Sequence, residues 1–253
     1  MDRTILDLEL PYKIERHAAK SGDARKSAIN SAELGCFLSH QDIIENSQDK
    51  DVILILEDDV IFSRNFSYNL RNILNRISRM DWDIVFLGQL INYDDIRHLK
   101  RLINMKKRLA VGESNNFTDF KILGADEIYN WGTFSYLVNP KSRDKIRRLL
   151  REVVSNGYQL AIDNTYRFLI RNGRLKAKVV FPHLVGVQPN LGLTIEGRSG
   201  VSMDLHTIVA NMFMANHDQS AARQEAIRYI NDSEMDHDAL VASRVVYERL
   251  KGR

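Results

Sequence analysis

The chain has 253 residues, 44% of them hydrophobic and 27% charged, with a formal net charge of +3. That balance fits one large globular domain or one domain with an appendage, and so small a charge does not point to nucleic acid as a partner. Cys36 is the only cysteine, which excludes an intrachain disulfide and, by count, a Cys-based zinc site. No stretch reaches the roughly 18 apolar residues that span a bilayer, and Met1-Asp2-Arg3-Thr4 lacks a signal-peptide pattern; the expectation is a cytoplasmic protein.

The spacing predicts a helix from residue 32 to about 46, with Cys36, Phe37, His40, Ile43 and Ile44 on one face. Next comes Val52-Ile53-Leu54-Ile55-Leu56 running into Glu57-Asp58-Asp59. The short apolar run predicts a strand buried on both faces, with three acids at its C-terminal end. In open α/β sheets that is where ligands bind. Two unit charges ~5 Å apart at an effective dielectric of ~20 repel by about 3 kcal/mol. An oxygen-seeking Mg²⁺ or Mn²⁺ would relieve that repulsion, whereas a solvated turn is the plain alternative. Asn65 is the expected N-cap of a helix burying Phe66, Leu70, Ile73, Leu74 and Ile77. Asp81-Trp82-Asp83 also has D-x-D spacing, but it precedes the predicted strand 84–87. If the strands are parallel it lies at the opposite edge, and it reads as a turn with a half-buried Trp82.

Arg97, Lys100, Arg101, Lys106, Lys107 and Arg108 fall in twelve residues without an acid. A solvated face is the plain reading, and attraction to phosphates or an anionic membrane the sharper one. A strand is predicted at 134–138, then a helix opened by Asn139-Pro140 that buries Ile146, Leu149, Leu150, Val153 and Val154. Its other face carries Lys141, Arg143, Lys145, Arg147, Arg148 and Arg151, and Asn156-Gly157 suits its end. Asp163 stands before a helical-looking 165–170; it reads either as an N-cap or as a partly buried general base. A fourth strand is predicted at Ala177–Phe181, followed by His183, a loop histidine or a metal ligand. His40, on an apolar helix face, reads as a core histidine. The glycine-rich 186–200 predicts a long loop of lid type. Residues 201–253 read as a helical appendage to a domain over 1–200, with Met203, Met212 and Met214 as packing groups. Strands alternating with helices give an α/β fold.

Several blocks together resemble glycosyltransferase family 25, which includes bacterial lipooligosaccharide galactosyltransferases and collagen galactosyltransferase domains. Glu33-Leu34-Gly35-Cys36-Phe37-Leu38-Ser39-His40 is similar to that family's E-[IL]-G-C-x-x-S-H, and Leu54-Ile55-Leu56-Glu57-Asp58-Asp59-Val60 to its L-I-L-E-D-D-V strand. Trp82-Asp83-Ile84-Val85-Phe86-Leu87-Gly88, Gly132-Thr133-Phe134-Ser135-Tyr136-Leu137-Val138, Ile162-Asp163 and Pro182-His183-Leu184-Val185-Gly186-Val187-Gln188 follow in the family's order. The likeness covers about residues 8 to 190.

The resemblance implies a GT-A-like sheet flanked by helices and a metal-assisted, inverting sugar transfer. The donor would be a UDP-sugar, UDP-galactose by family, and the cofactor Mn²⁺ or Mg²⁺. Carried over by position, Glu57 and Asp59 would frame the metal with Asp58 between them. Asp163 would be the base, and Glu33, Ser39 and His40 would line or brace the donor side. The acceptor would be a lipooligosaccharide or other lipid-linked glycan, met at the inner face of the cytoplasmic membrane with peripheral attachment through the basic segments. The family's first strand is expected to be missing here, so the alternative is a truncated, non-catalytic relative that binds a glycan or a protein. Residues 53–60 also resemble the first strand of a response-regulator receiver. That reading needs an Asp at the end of the next strand, where Leu87-Gly88-Gln89 has none.

Overall fold

The computed structural model describes residues 12–23, 27–48, 50–92, 95–109, 120–155, 157–188 and 200–215. In chain order the elements are α1 (Ser31–Asn46), β1 (Ile53–Leu56), β2 (Val60–Phe62), α2 (Phe66–Ile77), β3 (Ile84–Phe86), α3 (Ile96–Leu109), β4 (Lys121–Gly124), the single turn α4 (Ala125–Ile128), β5 (Ser135–Val138), α5 (Arg143–Ser155), α6 (Ile162–Arg171), β6 (Ala177–Phe181), β7 (Val185–Val187) and α7 (Gly200–Asn211). Five strands form one mixed sheet in the order β1-β5-β3-β6-β4, and β2 pairs with β7 in a second, two-stranded sheet. β1 and β3 both run antiparallel to β5, and β3 runs parallel to β6. The C-terminal ends of β1, β3 and β6 and the N-terminal end of β5 therefore share one edge.

The pleat sorts side chains onto two faces. Val85, Leu87, Leu137 and Val180 enter a core with Phe66, Leu70 and Ile73 of α2, Leu102 of α3 and Val209 of α7. Ile84, Phe86, Tyr136, Val138 and Val179 enter another with Phe37 and Ile44 of α1, Ile146 and Leu150 of α5, and Tyr166 and Leu169 of α6. The result is a helix–sheet–helix sandwich, the arrangement that alternating strands and helices predict.

Three expectations change. β1 is not buried on both faces: among the described residues it takes an outer position in the sheet order, and of its residues only Ile55 is buried. An apolar run does not itself say how many neighbours a strand has. Asn65 occupies the N-cap position of α2 but makes no side-chain cap bond, because its backbone is left-handed (φ 59°). Trp82 is buried rather than half-buried, its indole N–H donating to the Ile77 carbonyl at 3.0 Å. By contrast, Asn139 caps the turn at Pro140, Lys141 N–H donating to its side chain at 3.0 Å, and left-handed Gly157 follows α5. Ile208–Ala215 are buried, and Val209, Ala210, Phe213 and Ala215 belong to the same core as the sheet. The described part of 201–253 is thus continuous with the core of 1–200. Most of the predicted lid loop (189–199), the side chain of Met203 and residues 216–253 lie outside the described residues.

Candidate active site

Glu57, Asp58 and Asp59 form the turn between β1 and β2. Two backbone bonds fix it: Glu57 N–H donates to Phe134 O (2.9 Å), and Gln188 N–H donates to Asp59 O (2.8 Å). The Trp131–Phe134 approach to β5 lies alongside. Gly132 has φ 102°, and a Cβ there would stand 2.9 Å from the Phe134 ring and 3.1 Å from Leu90 N, so only glycine fits. That turn delivers Thr133, whose hydroxyl donates to Glu57 Oε1 at 3.3 Å.

The same carboxylate oxygen lies 3.3 Å from His40 Nε2. His40 Nδ1 is 2.8 Å from the Tyr136 hydroxyl, and the two rings stack at 5.6 Å. Tyr136 in turn lies 3.5 Å from the Tyr166 hydroxyl. His40 is indeed buried, and it also reaches the acidic turn.

Asp59 contrasts with Glu57. Its Oδ1 is buried and has no hydrogen-bond partner among the described residues. Burial, then the neighbouring charges of Glu57 and Asp58, push its carboxyl up to about 6. Asp58 is exposed. The Cys36 thiol is driven far up by burial and by the charges of Glu57, Asp163, Asp59 and Glu33. Of these acids, Glu57 brings a carboxylate oxygen within 4.8 Å of the Cys36 sulfur.

Asp163 is not the cap of α6: Ala161 is, and Asp163 stands in the first helical turn, its Oδ1 accepting from Asn164 N–H at 2.7 Å. Glu33 closes a capping box: Asn30 N–H donates to its carboxylate (3.3 Å), and its own N–H donates to the Asn30 side chain (2.9 Å). Ser39 donates to Gly35 O (2.8 Å) and accepts from Lys20 N–H (2.9 Å). Those bonds brace α1 against residues 20–22 and give Ser39 a structural task.

Other expectations separate from this edge. His183 lies in the connection between β6 and β7, as a loop histidine would, but it is buried and belongs to no ligand cluster among the described residues. It is fully enclosed, its Nδ1 3.0 Å from the Val180 carbonyl, and burial, reinforced by His98 and Lys106, lowers it to about 4. Asp83 sits at the opposite sheet edge and pairs with Lys145. Part of the basic face of α5 is taken up by bonds within the fold, while Lys141, Arg148 and Arg151 are exposed. Arg143 is buried and donates to Asp51 O, Arg147 to Ile44 O and Ser47 O, and Arg151 pairs with Glu45. On α3, Lys106 turns inward, donates to Met212 O and is lowered to about 8 by burial.

Sequence reasoning did not single out Thr133, Tyr136, Trp131 or Arg167. The Arg167 guanidinium lies 5.7 Å over the Trp131 ring, one turn beyond Asp163, and His206 meets that ring edge-on at 5.3 Å. The Trp-Gly-Thr block carried the signal, but it was legible only as the approach to a strand.

The donor set here suits a hard divalent cation. It offers carboxylate oxygens, crowding that disfavours full ionisation, and a buried oxygen on Asp59 with no proton donor.

Residues 11–166 match the family described as Glycosyltransferase family 25 (LPS biosynthesis protein). The chain belongs to glycosyltransferase family 25. Among curated relatives, it is 26% identical over 124 residues to procollagen galactosyltransferase 1 of Danio rerio, covering 47% of this chain and 18% of that protein. It is 25% identical over 122 residues to procollagen galactosyltransferase 2 of Homo sapiens, covering 47% and 17%. It is 34% identical over 65 residues to the inactive glycosyltransferase 25 family member 3 of Homo sapiens, covering 24% and 11%. The matches thus span less than a fifth of these relatives' lengths. Membership in family 25 supports sugar transfer as the general activity, and the mixed α/β sheet fits a Rossmann-like glycosyltransferase fold.

Proposed function

We propose that the chain is a metal-dependent, inverting galactosyltransferase of GT-A type, using UDP-galactose and a lipooligosaccharide or other surface-glycan acceptor. The observation that carries this reading is the acidic turn Glu57-Asp58-Asp59 that follows β1, with a carboxylate oxygen on Asp59 that has no partner among the described residues. Glu57 and Asp59 would hold Mn²⁺ or Mg²⁺, which would supply charge neutralisation at the donor diphosphate. Asp163 takes the proton from the acceptor hydroxyl as general base. His40 and Thr133 hold Glu57 in place. Mn²⁺-dependent hydrolysis of, or transfer from, UDP-galactose tests the reading; no turnover and no thermal shift with UDP plus Mn²⁺ would sink it. One observation favours a second reading, a non-catalytic relative: some family members matched over this region are named inactive. The same assay decides between them.

The acceptor is proposed to be lipid-linked and met at an anionic membrane surface. Arg97, Lys100, Arg101, Asn104, Lys107 and Arg108 recur at three- and four-residue spacing along one face of α3. Arg101 pairs with Glu127, while Arg97, Lys100, Lys107 and Arg108 are exposed without an acidic partner among the described residues. No described helix is long and apolar enough to cross a membrane. Each free cation near an anionic surface contributes about 1 kcal/mol, so reversing all four to Glu abolishes binding to vesicles containing phosphatidylserine. Unchanged binding removes this part of the proposal.

A further inference from the structure

The side of the acidic turn that faces α1 carries a second arrangement of ligands. Cys36 and His40 are four residues apart on α1 and so project from the same face. They meet Glu57, the first residue after β1. The Cys36 sulfur, a His40 ring nitrogen and a Glu57 carboxylate oxygen all lie within 4.8 Å of one another. The His40 Nε2 to Glu57 Oε1 separation is 3.3 Å.

We infer that Cys36, His40 and Glu57 form a binding site for a thiophilic divalent cation of the zinc class, distinct in ligand chemistry from the all-oxygen pair proposed for Mn²⁺ or Mg²⁺. Tetrahedral zinc has bonds of about 2.0–2.1 Å to nitrogen or oxygen and about 2.3 Å to sulfur, which sets ligand-to-ligand edges of about 3.3–3.6 Å. One edge already has that length. The sulfur has at most about an ångström to close. Thiolate and carboxylate together balance the charge of a dication, leaving a fourth position for water.

The surroundings fit. A ligating histidine needs its other nitrogen held. Here Nδ1 meets the Tyr136 hydroxyl at 2.8 Å, with Tyr166 next in line at 3.5 Å. A hydroxyl both donates and accepts, so Tyr136 serves the tautomer that pairs with Glu57 and the one that frees Nε2 for a metal. Binding joins the metal to sulfur and releases the thiol proton to solvent, with no change of oxidation state. Without a metal, burial, reinforced by the charges of Glu57 and the other acids, raises that thiol, so it is no free nucleophile. Counting cysteines rules out a site of several thiols but not one that mixes a single thiol with imidazole and carboxylate. The exclusion drawn from composition is narrowed accordingly.

The consequence for catalysis rests on the proposed function: a soft ion seated here withdraws Glu57 from the Mn²⁺ or Mg²⁺ site. The binding test does not depend on that reading. The full chain is titrated with Cd²⁺ and with Co²⁺, following the ultraviolet thiolate-to-metal charge-transfer band. A saturable band at one equivalent is expected. Removing a protein ligand costs at least the 10–100-fold seen for outer-shell partners, so Glu57→Gln and His40→Gln should each weaken binding about 100-fold or more. Tyr136→Phe should weaken it about tenfold, and Asp59→Asn should leave it within about threefold. Circular dichroism confirms that each variant is folded, and Glu57→Gln, isosteric and only half-buried, guards against a folding failure at His40. No band in the wild type overturns the site. So does a band whose affinity is the same in Glu57→Gln and His40→Gln, because that is adventitious binding to a thiol. A normal band without sugar transfer leaves the site standing and removes only its catalytic consequence.

Discussion

Two acidic turns lie at opposite ends of one sheet, and their contrast explains more than either alone. Asp81-Trp82-Asp83 and Glu57-Asp58-Asp59 look alike as strings of letters. Asp83 is almost fully buried, yet its carboxylate accepts from Lys145 and from the Lys176 N–H (2.7 Å). Burial pushes that carboxyl up, but Lys145, Ser142 and the Lys176 N–H outweigh it and hold it below its ordinary value. Asp59 is half-buried beside like charges, with its buried Oδ1 unpartnered among the described residues, and it is pushed up to about 6. One turn is satisfied by groups of the protein; at the other, an oxygen of Asp59 has no partner among the described residues. Unsatisfied or strained groups concentrate where function needs them.

The largest expected effect sharpens that contrast on the reactive side. Asp163→Asn should lower kcat by about 10³-fold, within the range for removing a general base, while UDP–Mn²⁺ binding by calorimetry stays within about threefold. An equal loss of both would assign Asp163 to the donor site instead. On the satisfied side, Asp83→Ala strands Lys145 and the Lys176 N–H. It should cost about 3–5 kcal/mol in denaturant unfolding, with no selective effect on kcat of the folded fraction. A stability change under 1 kcal/mol would show that the two turns do not differ as described.

Much of the sandwich was legible because its central strands are short apolar runs covered on both faces: the predicted 84–87, 134–138 and 177–181 agree with β3, β5 and β6 to within a residue. β2, β4 and β7 were not. Val185-Gly186-Val187 and Lys121-Ile122-Leu123-Gly124 are too short to display a period. At the site, the acids were visible as a cluster, but not what separates Asp83 from Asp59. The partner of Asp83 is Lys145, 62 residues away. The burial of His183 likewise depends on Phe213 and Ala215, whose backbones bond to its own. Local spacing carries neither relation. Glu33 shows the converse: a block suggestive of a donor site also spells a capping box, and its bonds close the box.

The smallest predicted effect isolates the penalty at Asp59 in metal-free protein, where Asp59 and the enclosed His183 titrate in opposite senses. Asp59 is raised when folded, so its contribution is present below its ordinary value of 3.8 and is lost as pH rises through about 6. The shift corresponds to about 2 kcal/mol after allowance for partial exposure. His183 is lowered, from 6.5 to about 4, so its contribution is present above 6.5 and is lost as pH falls towards 4, by about 3 kcal/mol. Wild-type stability should therefore change little between those limits, because one loss offsets the other gain. Asp59→Asn removes one side of the balance. It should be more stable than wild type by about 2 kcal/mol at pH 7 in EDTA, lose that advantage by pH 4, and show the uncovered histidine slope between. His183→Asn, which keeps a donor for the Val180 carbonyl, should show the opposite slope, stability rising as the solution is acidified from pH 6.5 to 4. Urea unfolding across that range checks both. Parallel curves for the two variants would mean that Asp59 is no less satisfied than Asp83, and the contrast between the two turns would fail at its source.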